Sequence, residues 1–232
     1  MNITETYQVR PVEYDDCKEW LLHKHYAHRI PCISYAFGLY NEELRMVGCC
    51  TYGLPANRSL AEGAVEQEWA DKLYELNRLV VDEGLPRNVL SFFVAQTLKM
   101  LPKPLIIVSY ADDGQGHHGY IYQATNWSYT GLSQLRGDWK VKGLDNVHNR
   151  HLLDGIKPKE GQSVKEALME KYGDRVYFQE RSRKHRYFQF LGDKRQKKAM
   201  LKAFKYPFLP YPKGDNKRYD ASYQCEPQGC LF

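Results

Sequence analysis

LYELNRLVVDEGLPRNVLSFFVAQTLKMLPKPLIIVSY, residues 73–110, is the stretch on which the fold turns. Leu73 to Val81 reads as a strand carrying Glu75, Asn77 and Arg78. Gly84, Pro86 and Asn88 open a helix that runs to about Leu101, and Pro102 and Pro104 close it. Leu105 to Tyr110 is a continuous apolar run suited to a strand buried on both faces. Strand, helix, strand is an α/β unit, and ligands favour the strand ends of such units, here those at Val81 and Tyr110.

Outward toward the N-terminus, Ser59 to Asp71 is a polar connection with some helical pattern. Ile33–Tyr40 and Leu44–Tyr52 form a hairpin around Asn41 to Glu43, and Asp15 or Asp16 caps a first helix through about His28. Toward the C-terminus, Tyr120 to Thr125 is helical and Trp127 begins a strand. Trp139 to Val141 is a short strand, and Ser163 with Glu166 forms a capping box for a helix to Tyr172. Arg175–Glu180 and His185–Leu191 read as a hairpin around the basic turn Arg181 to Lys184. A last helix from Asp193 to about Phe204 aligns Lys194, Lys198, Lys202 and Lys205, and the chain is extended from Pro207. The whole is an α/β (α+β) fold, a mixed central sheet flanked by helices with a basic C-terminal extension. Its divisions are a catalytic core over 1–174, a basic hairpin and helix over 175–206, and a tail over 207–232.

Composition narrows the function. Of 33 Lys and Arg and 28 Asp and Glu, residues 175–218 hold 14 and 3, a net of +11, leaving 19 against 25 and a net of −6 elsewhere. A basic third on an acidic chain points to a polyanionic partner; the alternative is a solvated basic face. No apolar run approaches the roughly 18 residues that span a bilayer, so no membrane is expected. Cys17, Cys32, Cys49 and Cys50 sit in core-like surroundings without a disulfide framework's spacing, which fits the cytoplasm. Cys225 and Cys230 are spaced wrongly for half of a zinc ribbon.

The densest polar cluster runs from Ser109 to Tyr122, directly after the buried strand. Its carboxylates, imidazoles and phenols are candidate bases, ligands and acids. The alternative is a strand-to-helix turn in which Asp112 or Asp113 caps the helix.

Tyr122, followed four residues later by Asn126 and then Trp127, resembles the fourth-helix pattern of the GNAT acyltransferase superfamily. Asn126 stands where that pattern has a left-handed glycine, and asparagine tolerates that conformation. The fuller run, Ser109-Tyr110-Ala111-Asp112, Gly116-His117, Gly119, Ile121-Tyr122 and Asn126-Trp127, resembles the phage Mom family of DNA-modification proteins. His25-Tyr26, Gly48, Tyr52 to Pro55, Glu75 to Val81 and Arg183 to Tyr187 extend the resemblance over about residues 20–220. It implies a GNAT-like fold and conversion of adenine in phage DNA to its N6-carbamoylmethyl form, which shields the genome from host restriction nucleases. It also implies functional positions at Asp112 and Tyr122, with Ser109 and Arg78 as further candidates. Tyr110, His117, Asn126, Arg87 and Asn88 are the candidates for contacting substrate or donor, Arg87 by helping the helix N-terminus to bind an anion.

GNAT enzymes cradle the coenzyme A pyrophosphate on a glycine-rich loop. Here that stretch is Gly84-Leu85-Pro86-Arg87-Asn88-Val89-Leu90, which lacks the glycines and counts against acetyl-CoA, leaving the carbamoylmethyl donor open. The Mom family is linked to iron. His25 and His28, at i, i+3 on one helix face, with His117 are the candidate Fe²⁺ ligands; otherwise they are ordinary polar residues. Double-stranded DNA is the expected partner, contacted by Arg181, Arg183, Lys184, Arg186, Tyr187, Lys194 and Lys198. The oligomeric state stays open, a dimer among the alternatives. The mechanism expected is base flipping, Asp112 as proton acceptor or N6 orienter, and Tyr122 as acid toward the leaving group. Two other classes compete: a GNAT-type N-acyltransferase on a small amine or protein, and a non-catalytic DNA-binding module.

Overall fold

A computed structural model describes residues 2–25, 28–144, 147 and 152–214. These residues divide into two compact units, one comprising 2–132 and 184–214, the other 133–183.

The first unit is built on a seven-stranded sheet. Its strands are β1 (Gln8–Pro11), β2 (Tyr35–Tyr40), β3 (Met46–Gly53), β4 (Leu73–Val81), β5 (Leu105–Asp112), β6 (Ser128–Leu132) and, late in the chain, Lys184–Leu191. With β7 and β8 in the other unit, this last strand is β9, and the spatial order is β1-β2-β3-β4-β5-β9-β6. All neighbours are antiparallel except β4 and β5, which are parallel. A parallel pair requires a crossover, and here it contains an α-helix, Val89–Met100. The helices before it are α1 (Ile3–Thr6), α2 (Tyr14–Glu19), α3 (Arg58–Ala64) and α4 (Gln67–Ala70), which makes the crossover helix α5.

From Leu105 to Ser109 β5 is buried, because both faces are covered. Strand alternation sends Leu105 and Ile107 to one core with Phe93, Val94 and Leu98 of α5. It sends Ile106 and Val108 to another, with Phe188, Phe190 and Met200. Met200 belongs to the last helix, Lys194–Ala203, which Asp193 and Gln196 begin with a capping box. A third cluster joins Cys17, Trp20 and Leu21 to Ala36, Cys49 and Val80. Cys17, Cys49 and Cys50 are buried free thiols and Cys32 is exposed; Cys225 and Cys230 lie outside the described residues. Among the described residues no helix is long and apolar enough to cross a membrane.

In the second unit, β7 (Arg136–Val141) pairs with β8 (Val176–Arg181) in antiparallel fashion. The expected capping box of Ser163 and Glu166 starts the helix Val164–Tyr172. Trp139 packs edge-on against Phe178, ring centres 5.0 Å apart.

Two expectations need correction. The strands on either side of Arg181–Lys184 do not form a hairpin: β8 pairs with β7, while β9 lies between β5 and β6. Tyr187, Phe188, Phe190 and Leu191 are all buried, and such a strand needs the middle of a sheet rather than one partner. The helix expected from Asp15 or Asp16 to about His28, α2, also ends early. After Glu19 the chain continues as a π-helical turn, Trp20–Lys24, and His25 is extended. His28 follows at φ 43°, so His25 and His28 do not share a helix face.

Candidate active site

The site begins where β4 and β5 stop pairing. Only Leu73, Tyr74 and Glu75 are in register with Ile106, Ile107 and Val108, yet β4 continues to Val81 and β5 to Asp112. Backbone groups along this opening need other partners. Ser109, buried in β5, supplies one: its Oγ lies 2.9 Å from the Leu76 carbonyl and 2.7 Å from the Tyr122 hydroxyl. A serine carries a single hydroxyl proton, so when Ser109 bonds the carbonyl, the phenol donates to the serine.

Tyr122 sits on a short helix, α6 (Tyr120–Ala124), that starts after left-handed Gly119. A Cβ on Gly119 would meet the Tyr187 ring at 2.4 Å, so glycine is required twice over, for conformation and for space. The Tyr122 ring packs 5.1 Å from Trp127 and 5.2 Å from Tyr187. Asn126 is left-handed at φ 59°, as its place in the motif implies. The Trp127 indole N–H is buried with no hydrogen-bond partner among the described residues.

The opposite face of the sheet carries different chemistry. Tyr110 packs into the core of Ile106 and Val108, the other side from Ser109. Tyr110 therefore lies on the opposite face from Ser109 and Tyr122, since adjacent strand residues point oppositely. Asp112 shares that side with its register partner Lys184, carboxylate and ammonium 3.8 Å apart. Asp112 also accepts a hydrogen bond from Gly114 N at 3.0 Å, capping a 3₁₀ turn, Asp113–Gln115. Glu75 pairs with Val108 and so faces the same way. Burial raises the Glu75 pKa, while the charges of Lys184 and Arg78 pull it back. Arg78 donates to the Asn77 carbonyl at 2.6 Å. Beside it, His25 is buried, and its pKa falls to about 3 through burial, then through Arg78 and His28, so the imidazole is neutral at physiological pH. His117 is held below the usual histidine range by burial, with Asp112 acting in the opposite sense.

Carboxylates and guanidinium thus flank the opening from one face and the Ser109–Tyr122 pair from the other. The sequence places Glu75 on its strand without assigning it a chemical role. The available signal is an acidic residue in a strand whose neighbours Leu73 and Leu76 are core.

On the Tyr122 side, a groove of about 570 Å³ runs between α5, α6 and the end of β9. Asn88, left-handed at φ 71°, and Asn126 both line it, with Ser91, Lys99, Lys103 and Lys197. Arg87 is exposed and does not line it.

The expected DNA contacts divide. Lys194 and Lys198 are exposed, as are Arg195, Lys197 and Lys202, and none of the five has an ion-pair partner among the described residues. Arg181 pairs with Asp138 and Arg183 donates to the Ser133 carbonyl at 2.8 Å. Arg186 stacks 3.6 Å over the Tyr206 ring and bonds Thr130. Tyr187 is fully buried, which corrects its assignment as a DNA contact. The chain from 207 to 213 forms neither helix nor strand and is held down by the Leu209 N bond to Tyr129 O and the Tyr211 hydroxyl bond to Trp127 O. The expected iron ligands His25, His28 and His117 do not form a converging group. Among the described residues the converging donors are Asp113, His118 and His185.

Comparison with known proteins identifies relatives. The Mom protein family matches residues 6–213. Methylcarbamoylase mom of Escherichia phage Mu is 26% identical over 200 residues, covering 82% of this chain and 77% of that one. Among solved structures, an N-acetyltransferase from Staphylococcus aureus Mu50 aligns at 12% identity with a TM-score of 0.42, covering 80% of this chain and 99% of its own. The IAA acetyltransferase from Bacillus cereus ATCC 14579 aligns at 8% identity and 0.42, covering 80% and 100%.

Proposed function

This chain belongs to the Mom protein family, and from that premise we propose that it is a DNA-modification transferase. It converts adenine in duplex DNA to the N6-carbamoylmethyl form and so protects the DNA against host restriction nucleases. The observation that carries this reading is the half-open edge of β5, with acid–base groups on both faces of the opening.

Adenine N6 is a poor nucleophile because its lone pair is delocalised into the ring, and in a duplex it is paired. The base must therefore leave the stack, and the amine must lose a proton as it attacks. In this reading the flipped adenine enters on the carboxylate side. Asp112 accepts the N6 proton, with Glu75 and Arg78 holding the amine's surroundings. The new N6–carbon bond forms as the bond from that carbon to its leaving group breaks. Tyr122, aligned by Ser109, protonates the leaving group from the other face. The exposed lysines of the C-terminal helix supply phosphate contacts.

Nucleoside mass spectrometry of plasmid DNA from cells expressing the protein tests this. The expected result is the N6-carbamoylmethyl deoxyadenosine mass, absent with Asp112→Ala. An unmodified profile from soluble, folded protein in a host where the phage Mu relative does modify DNA would overturn it.

One observation favours a second reading, an N-acyltransferase acting on a small amine or protein. The lysine-lined groove between α5, the end of α6 and the end of β9 has the size and charge for an anionic acyl carrier. Tight coenzyme A binding in calorimetry, with no DNA affinity, would select it.

A further inference from the structure

The loop after β5 does more than cap a turn. Asp113 Oδ1, His118 Nδ1 and His185 Nε2 converge, all within 4.8 Å of one another. We propose that these three side chains bind a first-row divalent transition-metal ion, at a site separate from the Ser109–Tyr122 pair and independent of the DNA-modification reading.

The two separations that involve His185 fit one shared ion. His118 Nδ1 lies 3.4 Å from His185 Nε2, and His185 Nε2 lies 3.3 Å from Asp113 Oδ1. Two ligand atoms so spaced, each about 2.1 Å from a metal, subtend roughly 104–108° at it, close to a tetrahedral angle. Two imidazoles and one carboxylate form a nitrogen–oxygen donor set that suits Zn²⁺, Fe²⁺ or Co²⁺ better than Mg²⁺ or Ca²⁺.

The ligands are also held in place, which a solvated polar cluster does not require. His185 is buried in β9, and its Nδ1 lies 2.8 Å from the Tyr129 hydroxyl. With its Nδ1 proton donated to that oxygen, the imidazole presents the Nε2 lone pair to the ion, the arrangement in which a neighbouring group fixes a ligand's tautomer. His118 is returned to the strand by left-handed glycines at 116 and 119. Its carbonyl accepts hydrogen bonds from both Tyr187 OH and Gln123 Nε2, which pins the backbone. Asp113 is the exposed member, with its side chain 46% accessible, so the ion enters and keeps a water position on that side.

Cobalt provides the probe. Full-length protein stripped with a chelator and titrated with Co²⁺ should develop visible ligand-field absorption that saturates at one equivalent and is displaced by Zn²⁺. Asp113→Asn and His118→Gln change loop residues and should leave the circular dichroism spectrum intact while weakening Co²⁺ binding by about 100-fold or more. Tyr129→Phe should weaken it about 10-fold, the size typical of groups that orient a ligand. No saturable absorption in the wild type would overturn the proposal. Unchanged affinity in folded Asp113→Asn and His118→Gln variants would do the same by placing the metal elsewhere.

Discussion

The two edges of β5 are built from the same eight residues and behave oppositely. Along one edge every residue is in register with β9, from Leu105 with Leu191 to Asp112 with Lys184. Along the other, pairing with β4 covers three positions and stops at Glu75 and Val108. The closed edge satisfies its backbone internally and sits between two apolar cores. Along the open edge Ser109 takes up the Leu76 carbonyl, and Tyr122, Asp112 and Glu75 stand around the same opening. A strand can thus stabilise through one edge and do chemistry through the other.

Substitutions can break or sharpen that contrast. The largest effect belongs to the closed edge: Phe188→Ala removes a fully buried ring beside Phe204. It should cost about 3–5 kcal/mol, read as a lowered urea midpoint. On the open edge, Tyr122→Phe should lower DNA modification by about 100-fold or more. The same change should shift stability by only about 1 kcal/mol, the worth of one hydrogen bond, so kinetics and melting separate the two roles.

Glu75 yields a pH signature. Burial raises its pKa above the unfolded value. Below about pH 4.3 the carboxyl is neutral in both states; as pH rises through the folded value, the folded state loses stability relative to the unfolded one. Glu75→Gln removes that loss, so the variant's melting temperature should gain on the wild type as pH increases. A gain in the acid direction would contradict the assignment. The smallest change concerns the exposed helix: Lys194→Ala with Lys198→Ala should flatten the dependence of log affinity for DNA on log salt by about 0.9 for each phosphate that is no longer neutralised.

Local signals carry much of the fold. The bounds of β4 match the Leu73–Val81 expectation, the capping box at Ser163 forms, and Asn126 adopts the left-handed conformation its motif requires. Pairing is what local signals miss. Strands β8 and β9 are neighbours in sequence, but nothing local records that β9 is needed between β5 and β6. For the same reason the short edge strand β1 is not legible in the sequence. In the candidate site, the residue types are legible and their faces are not. Asp112 and Tyr122 belong to one motif, yet they approach the opening from opposite sides of the sheet, because an odd-numbered step along β5 separates Ser109 from Asp112. Tyr187 reads as a surface aromatic among arginines and is core, since its neighbours on β6 and α6 come from a distant part of the sequence.

The most direct test compares the two edges in one measurement, the yield of modified deoxyadenosine in DNA from cells expressing matched variants, alongside each variant's melting temperature. Asp112→Ala and Tyr122→Phe should abolish the modified nucleoside at nearly wild-type melting temperature, whereas Phe190→Leu on the closed edge should lower the melting temperature and keep the modification. Full modification by the two open-edge variants would contradict the account.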